Sequence, residues 1–414
     1  TSAASSATPR PTPASDAPKA TPLGAELAFI SDFGLLNDGA INQAMWDGLT
    51  RCATERGLTY RHYAPTADDG PDAYLDAISR AVSDGAKLIA APGPLLEVPL
   101  YTAQSRYPDV RFILVDGRPH DETFEHETIG QNVACVRFAS DQAGFLAGYS
   151  AVKSGMRALG FLGAMPVPEI TDAGSGFIQG AEYAAAELGL SEDEDGVLIR
   201  YGYNGAYRAG AETEALAEVW FADGLDCIFV CGGELGESVA AAAGRLSKKV
   251  ILYDEDYDGD IENSDNTDTD TAVFARIQKN YEGAVYDGAL AFYRGLFPGG
   301  KETIRGAVRY GIRLLPPRGP APGKPASDIT DADSTGGTDS EDTPGVSDTA
   351  EAVDAPEITD AADILASPEY ISLLGALAAE AIPIRRGGGD PFVPVPVAEI
   401  PVAVVRVELA DAAQ

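Results

Sequence analysis

The stretch Leu27-Ala-Phe-Ile-Ser-Asp-Phe-Gly-Leu-Leu-Asn-Asp-Gly-Ala-Ile-Asn-Gln43 reads as an apolar strand, a polar turn and the start of a helix. Ligands of open α/β sheets bind at junctions of this kind, outside the carboxyl end of a strand. The turn supplies a carboxylate at Asp32, a flexible Gly34, a helix cap at Asn37 or Asp38, and Asn42 one turn into the helix. Together these make a contact set suited to a small molecule. Asp32 itself serves either as a ligand contact or as a cap.

Outward from this stretch, strand and helix patterns alternate. After a helix predicted over 38–56 come a strand near 58–62, a helix over 71–83, a strand over 87–92, a helix over 98–106 and a strand over 111–116. The alternation restarts at Ala158-Leu-Gly-Phe-Leu162 and continues with a helix at 175–188, a strand at 197–201, a helix at 207–222, a strand at 226–231, a helix at 235–245 and a strand at 249–253. Such alternation builds right-handed βαβ units around a largely parallel sheet. The expected class is α/β, with two Rossmann-like lobes. Asn132-Val-Ala-Cys-Val-Arg-Phe138 leading into a helix at 139–154, and Thr271-Ala-Val-Phe-Ala-Arg-Ile277 leading into a helix at 279–296, read as hinge crossings that leave a ligand cleft between the lobes.

A chain of 414 residues with 45% hydrophobic residues has room for two ordinary cores. Sixty-four acidic against 30 basic residues, a formal charge of −34, argue against nucleic acid and against direct adhesion to an anionic membrane. No apolar run approaches the roughly 20 residues of a membrane-spanning helix. Residues 1–25, rich in Ser, Thr, Ala and Pro, predict a flexible stalk.

The expected division places 26–138 and 279–298 in the first lobe, and 139–278, 299–316 and 363–414 in the second. Residues 317–362 carry Pro, Gly, Ser, Thr and many carboxylates with few apolar residues, so they predict a solvated, disordered insertion. An apolar-periodic helix over 368–381 follows.

Four cysteines are too few for a disulfide scaffold. Cys227 and Cys231, four apart on a predicted strand, are separated by about 13 Å of strand rise and cannot bridge. Cys52 and Cys135 pair only if tertiary contact joins them, and small core residues are the default for all four. His62, His120 and His126 show no paired spacing for zinc.

The opening stretch resembles the pattern T-D-x-G-x-x-D-D-x-S-F-N-Q of the basic membrane protein family, nucleoside-binding lipoproteins that feed ABC transporters. Phe138-Ala-Ser-Asp-Gln-Ala-Gly-Phe-Leu-Ala-Gly-Tyr149 is similar to that family's F-x-x-x-E-G-S-F-L-A-G-Y. Gly160-Phe-Leu-Gly-Ala-Met-Pro-Val-Pro168 is similar to its G-F-V-G-G-M-x-x-P, Val230-Cys-Gly-Gly233 to its glycine-rich turn, and Tyr253-Asp-Glu-Asp256 to its V-D-S-D. The resemblance covers roughly residues 26–316. It implies a type I periplasmic-binding-protein fold and no catalysis. It also implies a nucleoside-like ligand, an ABC permease partner, a monomer, and an extracytoplasmic location held by a lipid anchor upstream of residue 1.

Carried over by position, the resemblance implies that Asp32 and Asn42 face the ligand from the first lobe, with Asp116 beside them; Ile41 stands at the family's ring position there, and Phe33, in the binding turn, is the favoured substitute for that ring. Ala173, Gly232, Asp254 and Lys279 line the opposite side, and Asp254 and Lys279 hold the ribose. A carboxylate acceptor and an ammonium donor suit paired hydroxyls. The bare residues leave Asp116 open to capping a turn into Gly117, and Lys279 open to facing solvent.

Two departures from the family pattern concern the base. Ile41 and Ala173 stand where the family stacks the base between two phenylalanines, each ring contributing on the order of 1 kcal/mol. Phe33, Trp46, Tyr203 and Tyr207 are candidate substitutes, and Trp46 reads as core.

Asp254-Glu-Asp-Tyr-Asp-Gly-Asp-Ile-Glu-Asn-Ser-Asp265 also has the spacing of a calcium loop, with ligands at Asp254, Asp256, Asp258, Asp260, Glu262 and Asp265. The competing reading is a solvated acidic loop at the cleft mouth.

Three function classes follow. The first is a solute-binding lipoprotein of an ABC transporter. The second is a surface sensor or interaction protein with an altered cleft, and the third a calcium-dependent nucleoside hydrolase. The third lacks the Asp-x-Asp-x-x-x-Asp-Asp cluster that its metal requires.

Overall fold

Both lobes are built on the same strand order. The computed structural model describes residues 25–32, 36, 41–65, 70–191, 195–253, 271–307, 311–317, 359–378, 382, 384, 400 and 402–410. The first sheet contains β1 (Leu27–Ile30), β2 (Tyr60–Tyr63), β3 (Leu88–Pro92), β4 (Arg111–Val115), β5 (Val133–Phe138) and β11 (Lys301–Arg305). Its order is β11-β5-β4-β3-β1-β2, and every pairing is parallel.

The second sheet contains β6 (Ala158–Gly163), β7 (Val197–Tyr203), β8 (Cys227–Cys231), β9 (Lys249–Tyr253), β10 (Val273–Lys279), β12 (Ile312–Leu315) and β13 (Val405–Leu409). Its order is β12-β10-β9-β8-β6-β7-β13, parallel except for β12. The cores β2-β1-β3-β4-β5 and β7-β6-β8-β9-β10 share one doubly wound order. Each reverses direction beside its first strand, where ligands of such sheets sit.

The central strands are apolar along their whole length because both faces are covered by helices. All four residues of β1 and all five of β8 are buried. The first lobe carries α1 (Ile41–Arg56), α2 (Pro71–Ser83), α3 (Glu97–Arg106) and α8 (Tyr281–Tyr293). The second carries α4 (Ser140–Lys153), α5 (Pro168–Leu188), α6 (Ala211–Ala222), α7 (Leu235–Arg245), α9 (Ala361–Leu365) and α10 (Pro368–Ala378).

The chain crosses between sheets after β5, after β10 and between β11 and β12. Helix α4 thus leaves the first sheet to pack on α5, and α8 leaves the second to pack on α1. The packing of α4 on α5 is the most extensive between described helices. Gly144 and Gly148 of α4 face the backbone of Ala173 and Phe177, while Gly176 and Gly180 of α5 face the backbone of Asp141 and Phe145. A Cβ at any of the four would collide with a carbonyl oxygen of the partner helix. The pairings advance together along both chains, so the helices run parallel and their amino ends lie side by side.

Two expectations change. The spacing predicts a helix from 175, yet α5 begins at Pro168, because proline suits the first helical position and Glu169 favours the first turn. Residues 299–316 are expected in the second lobe, but β11 pairs with β5 in the first sheet and only β12 joins the second. Past the acidic stretch, β13 extends the second sheet beside β7. The Glu182 carboxylate accepts the N–H groups of Ala403, Val404 and Val405 at 2.8, 3.0 and 2.9 Å, which fixes the approach to that strand. Among the described residues no helix is long and apolar enough to cross a membrane.

Candidate functional site

The carboxyl ends of β1 and β4 flank that of β3, so Asp32 and Asp116 lie about 10 Å apart by strand spacing. Asp32 and Asn42 bind each other across the turn. The Asn42 carboxamide donates to Asp32 Oδ1 at 2.7 Å, and the Asp32 N–H donates to Asn42 Oδ1 at 3.3 Å. Asn42 is buried while Asp32 stays half-buried, so the amide aims the carboxylate at the strand end.

Asp116 follows β4 with φ of 54°, a left-handed conformation, and turns its carboxylate toward the other lobe. Gly93 at the end of β3 is held against the Asp116 backbone so closely that a Cβ would collide with it. The Asp116 carboxylate accepts from Lys279 Nζ at 2.9 Å and from the Tyr281 hydroxyl at 3.0 Å. Burial pushes its carboxyl above the ordinary carboxylate range, and the Lys279 ammonium opposes that rise.

Lys279 closes β10, the last strand before the chain crosses to the first lobe. Its side chain has 0% exposure and bridges the lobes, reaching Asp116 on one side and Glu169 Oε1 of α5 on the other. The ammonium also lies 4.9 Å from the centre of the Tyr253 ring and 5.8 Å from that of Phe138. The Tyr253 hydroxyl donates to Ser140 Oγ at 2.8 Å and lies 3.4 Å from Glu169 Oε1. The solvent-facing alternative for Lys279 is therefore set aside. For Asp116, the carboxylate is engaged by Lys279 and Tyr281, which a simple turn cap into Gly117 does not require.

The remaining candidates separate. Ile41 opens α1 and is partly buried against the core. Ala173 is fully buried, its carbonyl directed at Gly144 of α4, and it offers no exposed surface to a ligand in this conformation. Gly232 follows β8 with φ of 126°, packed so near Ala164 that a Cβ would fall 2.5 Å from the Ala164 methyl. Phe33, Asp254 and the calcium candidates Asp256, Asp258, Asp260, Glu262 and Asp265 lie outside the described residues, as do the 1–24 part of the stalk and 318–358 of the insertion.

Among the aromatic substitutes, Trp46 packs between Phe29, Tyr60 and His62, toward the amino end of β2 and away from the ligand edge. The Tyr203 hydroxyl lies 3.0 Å from that of Tyr201. Tyr207 is exposed.

Glu169 is the site residue that sequence reasoning missed. Its signal was present: Pro168 at the first helical position followed by an acidic residue marks a helix start.

A shallow cavity of about 550 Å³ opens at the opposite end of β4, lined by Tyr101, Gln104, Arg111 and Asn132. Its polar groups serve the backbone. Asn132 donates to the carbonyls of Gln104, Tyr107 and Val110, and Gln104 bonds Thr128 and Gly130. That end of the sheet is structural.

All four cysteines are buried and outside any disulfide. Burial pushes the Cys135 thiol up to about 12 and that of Cys227 higher still.

Two doubly wound lobes, joined by three crossings and meeting at a buried ammonium outside the strand ends, define a two-lobed binding protein. Residues 25–327 match the family model described as Bmp: ABC transporter substrate-binding protein PnrA-like, and the chain belongs to that family. The chain is 25% identical to the ABC transporter nucleoside-binding protein BmpA of Lactococcus lactis over 69% of its own length and 80% of that protein's. It is 23% identical to basic membrane protein D of Borreliella burgdorferi over 64% and 74%.

Solved structures share the fold. An ABC transporter solute-binding protein from Aeropyrum pernix superposes with a TM-score of 0.55 at 20% identity, covering 70% of this chain and 75% of that one. One from Conexibacter woesei gives 0.54 at 18%, covering 71% and 88%. The family is one of extracytoplasmic solute binders that serve a permease, not of enzymes.

Proposed function

We propose that the chain captures a nucleoside or nucleoside-like metabolite between its lobes and delivers it to an ABC permease, held at the membrane by a lipid anchor upstream of residue 1. The observation that carries this reading is the interlobe contact of Lys279 with Asp116. The Lys279 ammonium and the Asp116 carboxylate, paired where both sheets end, would supply a donor and an acceptor to the paired hydroxyls of a ribose that parts them. Asp32, aimed by Asn42, adds a second acceptor from the first lobe.

The name of the Lactococcus lactis relative supports nucleosides as the class. Ile41 in place of a ring argues that base recognition differs from that of family members with both aromatics, and Ala173, buried against α4, presents nothing on which a base could stack.

A thermal-shift screen against nucleosides, free bases, pentoses and calcium tests the reading. A nucleoside at 100 times its dissociation constant adds about 2.7 kcal/mol of stability. A shift with nucleosides but not with bases or pentoses is the expected result. A shift with calcium alone, or with no metabolite, contradicts it and turns attention to the acidic segments.

A further inference from the structure

The parallel packing of α4 on α5 brings two helix amino ends to the place where the Lys279 ammonium is buried. Helix amino ends attract anions through their unpaired N–H groups and their dipoles, and an ammonium adds a full charge. Left to themselves these three groups would suit a phosphate. The chain fills the arrangement from within. Glu169, in the first turn of α5, puts its own carboxylate on Lys279, and Asp116 approaches from the other side. Asp141 occupies the first turn of α4 and is buried.

The three charged members of the contact differ in exposure. Lys279 has none and Asp116 has 10%, but the Glu169 side chain keeps 34%. Glu169 is thus the member that an arriving ligand meets. It also stands at the β6–α5 junction, the counterpart in the second lobe of the β1–α1 junction that carries Asp32. Each lobe presents a carboxylate at its equivalent position.

We infer that Glu169 is a specificity-determining residue that makes the site accept neutral, hydroxyl-bearing ligands and reject their phosphorylated forms. This deepens the nucleoside reading and rests on it. Asp116 and Glu169 share the one ammonium of Lys279, so a phosphate dianion entering there meets two carboxylates set against a single positive charge. The overall charge of −34 opposes its approach as well.

The test is isothermal titration of the wild type, Glu169→Gln and Glu169→Asp with adenosine, guanosine and uridine, each beside its 5′-monophosphate, and with inorganic phosphate. The wild type should prefer a nucleoside over its monophosphate by at least about 100-fold, a difference of roughly 2.7 kcal/mol. Glu169→Gln should narrow that ratio by at least about tenfold, mainly by gaining affinity for the monophosphate, while Glu169→Asp keeps it. An unchanged ratio in Glu169→Gln, or a wild type that takes both members of a pair equally, overturns the inference.

Failure of the nucleoside reading looks different: a folded wild type binds none of the three nucleosides. The charge claim is then read from inorganic phosphate alone. Phosphate should raise the Tm of Glu169→Gln and leave the wild type unmoved, and equal behaviour overturns it.

Discussion

The α4–α5 seam and the Lys279 contact are both buried, and both involve the same two helices, yet they are made of opposite materials. The seam is backbone against backbone at four glycines, and it carries the Lys153–Glu187 ion pair at its carboxyl end. At its amino end Glu169 and Ser140 join a lysine, an aspartate and two tyrosines in a contact made of charge and hydroxyls. Close packing of small residues stabilises one lobe and fixes where its helices begin. A buried ion pair costs about as much desolvation as it returns in attraction, so it is weak evidence for stability. The contrast supports the proposal that the seam serves as scaffold and the charged contact serves binding.

Breaking the seam should have the largest effect. Gly148→Val drives a side chain into the Phe177 carbonyl and should cost at least about 4 kcal/mol, beyond ordinary overpacking because backbone must move. Urea denaturation would show it, or the variant would fail to fold.

Lys279→Met comes next. Removing the ammonium leaves Asp116 buried without its counter-charge, which should cost about 3 kcal/mol and abolish ligand-induced thermal shifts. The paired variant Lys279→Met with Asp116→Leu sharpens the contrast. Most of the stability should return, because Glu169 reaches solvent, while binding stays lost. If binding returned with stability, the charged contact would be structural after all.

Asn42→Ala should cost roughly 1–2 kcal/mol by unpairing Asp32 from a buried amide, and should weaken ligand binding while leaving the seam intact. The smallest effect concerns the cysteines. Burial, which also pushes up the thiols of Cys52, Cys135 and Cys227, should make the cysteines resist alkylation in the native protein at neutral pH, and all four should react after unfolding, as mass spectrometry would count.

Much of the fold was legible because its signals are local. The continuous apolar runs of β1 and β8 declare strands covered on both faces, and α2 at Pro71–Ser83 falls where its periodicity and leading proline place it. What escaped depends on distant partners. β11 has the sequence Lys-Glu-Thr-Ile-Arg, with no buried face, and is a strand because β5 offers an edge. The predicted start at 175 falls inside α5, whose Gly176 and Gly180 meet the backbone of α4 while Gly174 lies against Phe161 and Tyr201 of the sheet, contacts that no local pattern encodes.

The site divided in the same way. Asp32 and Asn42 stand at a strand end and a helix start that alternation points to as ligand-facing, whereas Asp116 and Lys279 come from the family resemblance, the bare residues leaving them open to a turn cap and to solvent. That Lys279 would be fully buried between two carboxylates required knowing that β10 of one sheet ends beside β4 of the other. Ala173 was assigned by alignment to a motif, and its place against α4 follows from a helix contact that no local pattern encodes.

The most direct measurement is isothermal titration of the paired variant, Lys279→Met with Asp116→Leu, beside the wild type, against the nucleoside that gives the largest thermal shift. The interlobe contact predicts a dissociation constant weakened by at least about 100-fold in a variant that still unfolds cooperatively, about 2.7 kcal/mol of lost binding. Equal affinity in the two proteins would contradict it and move the ligand away from Lys279.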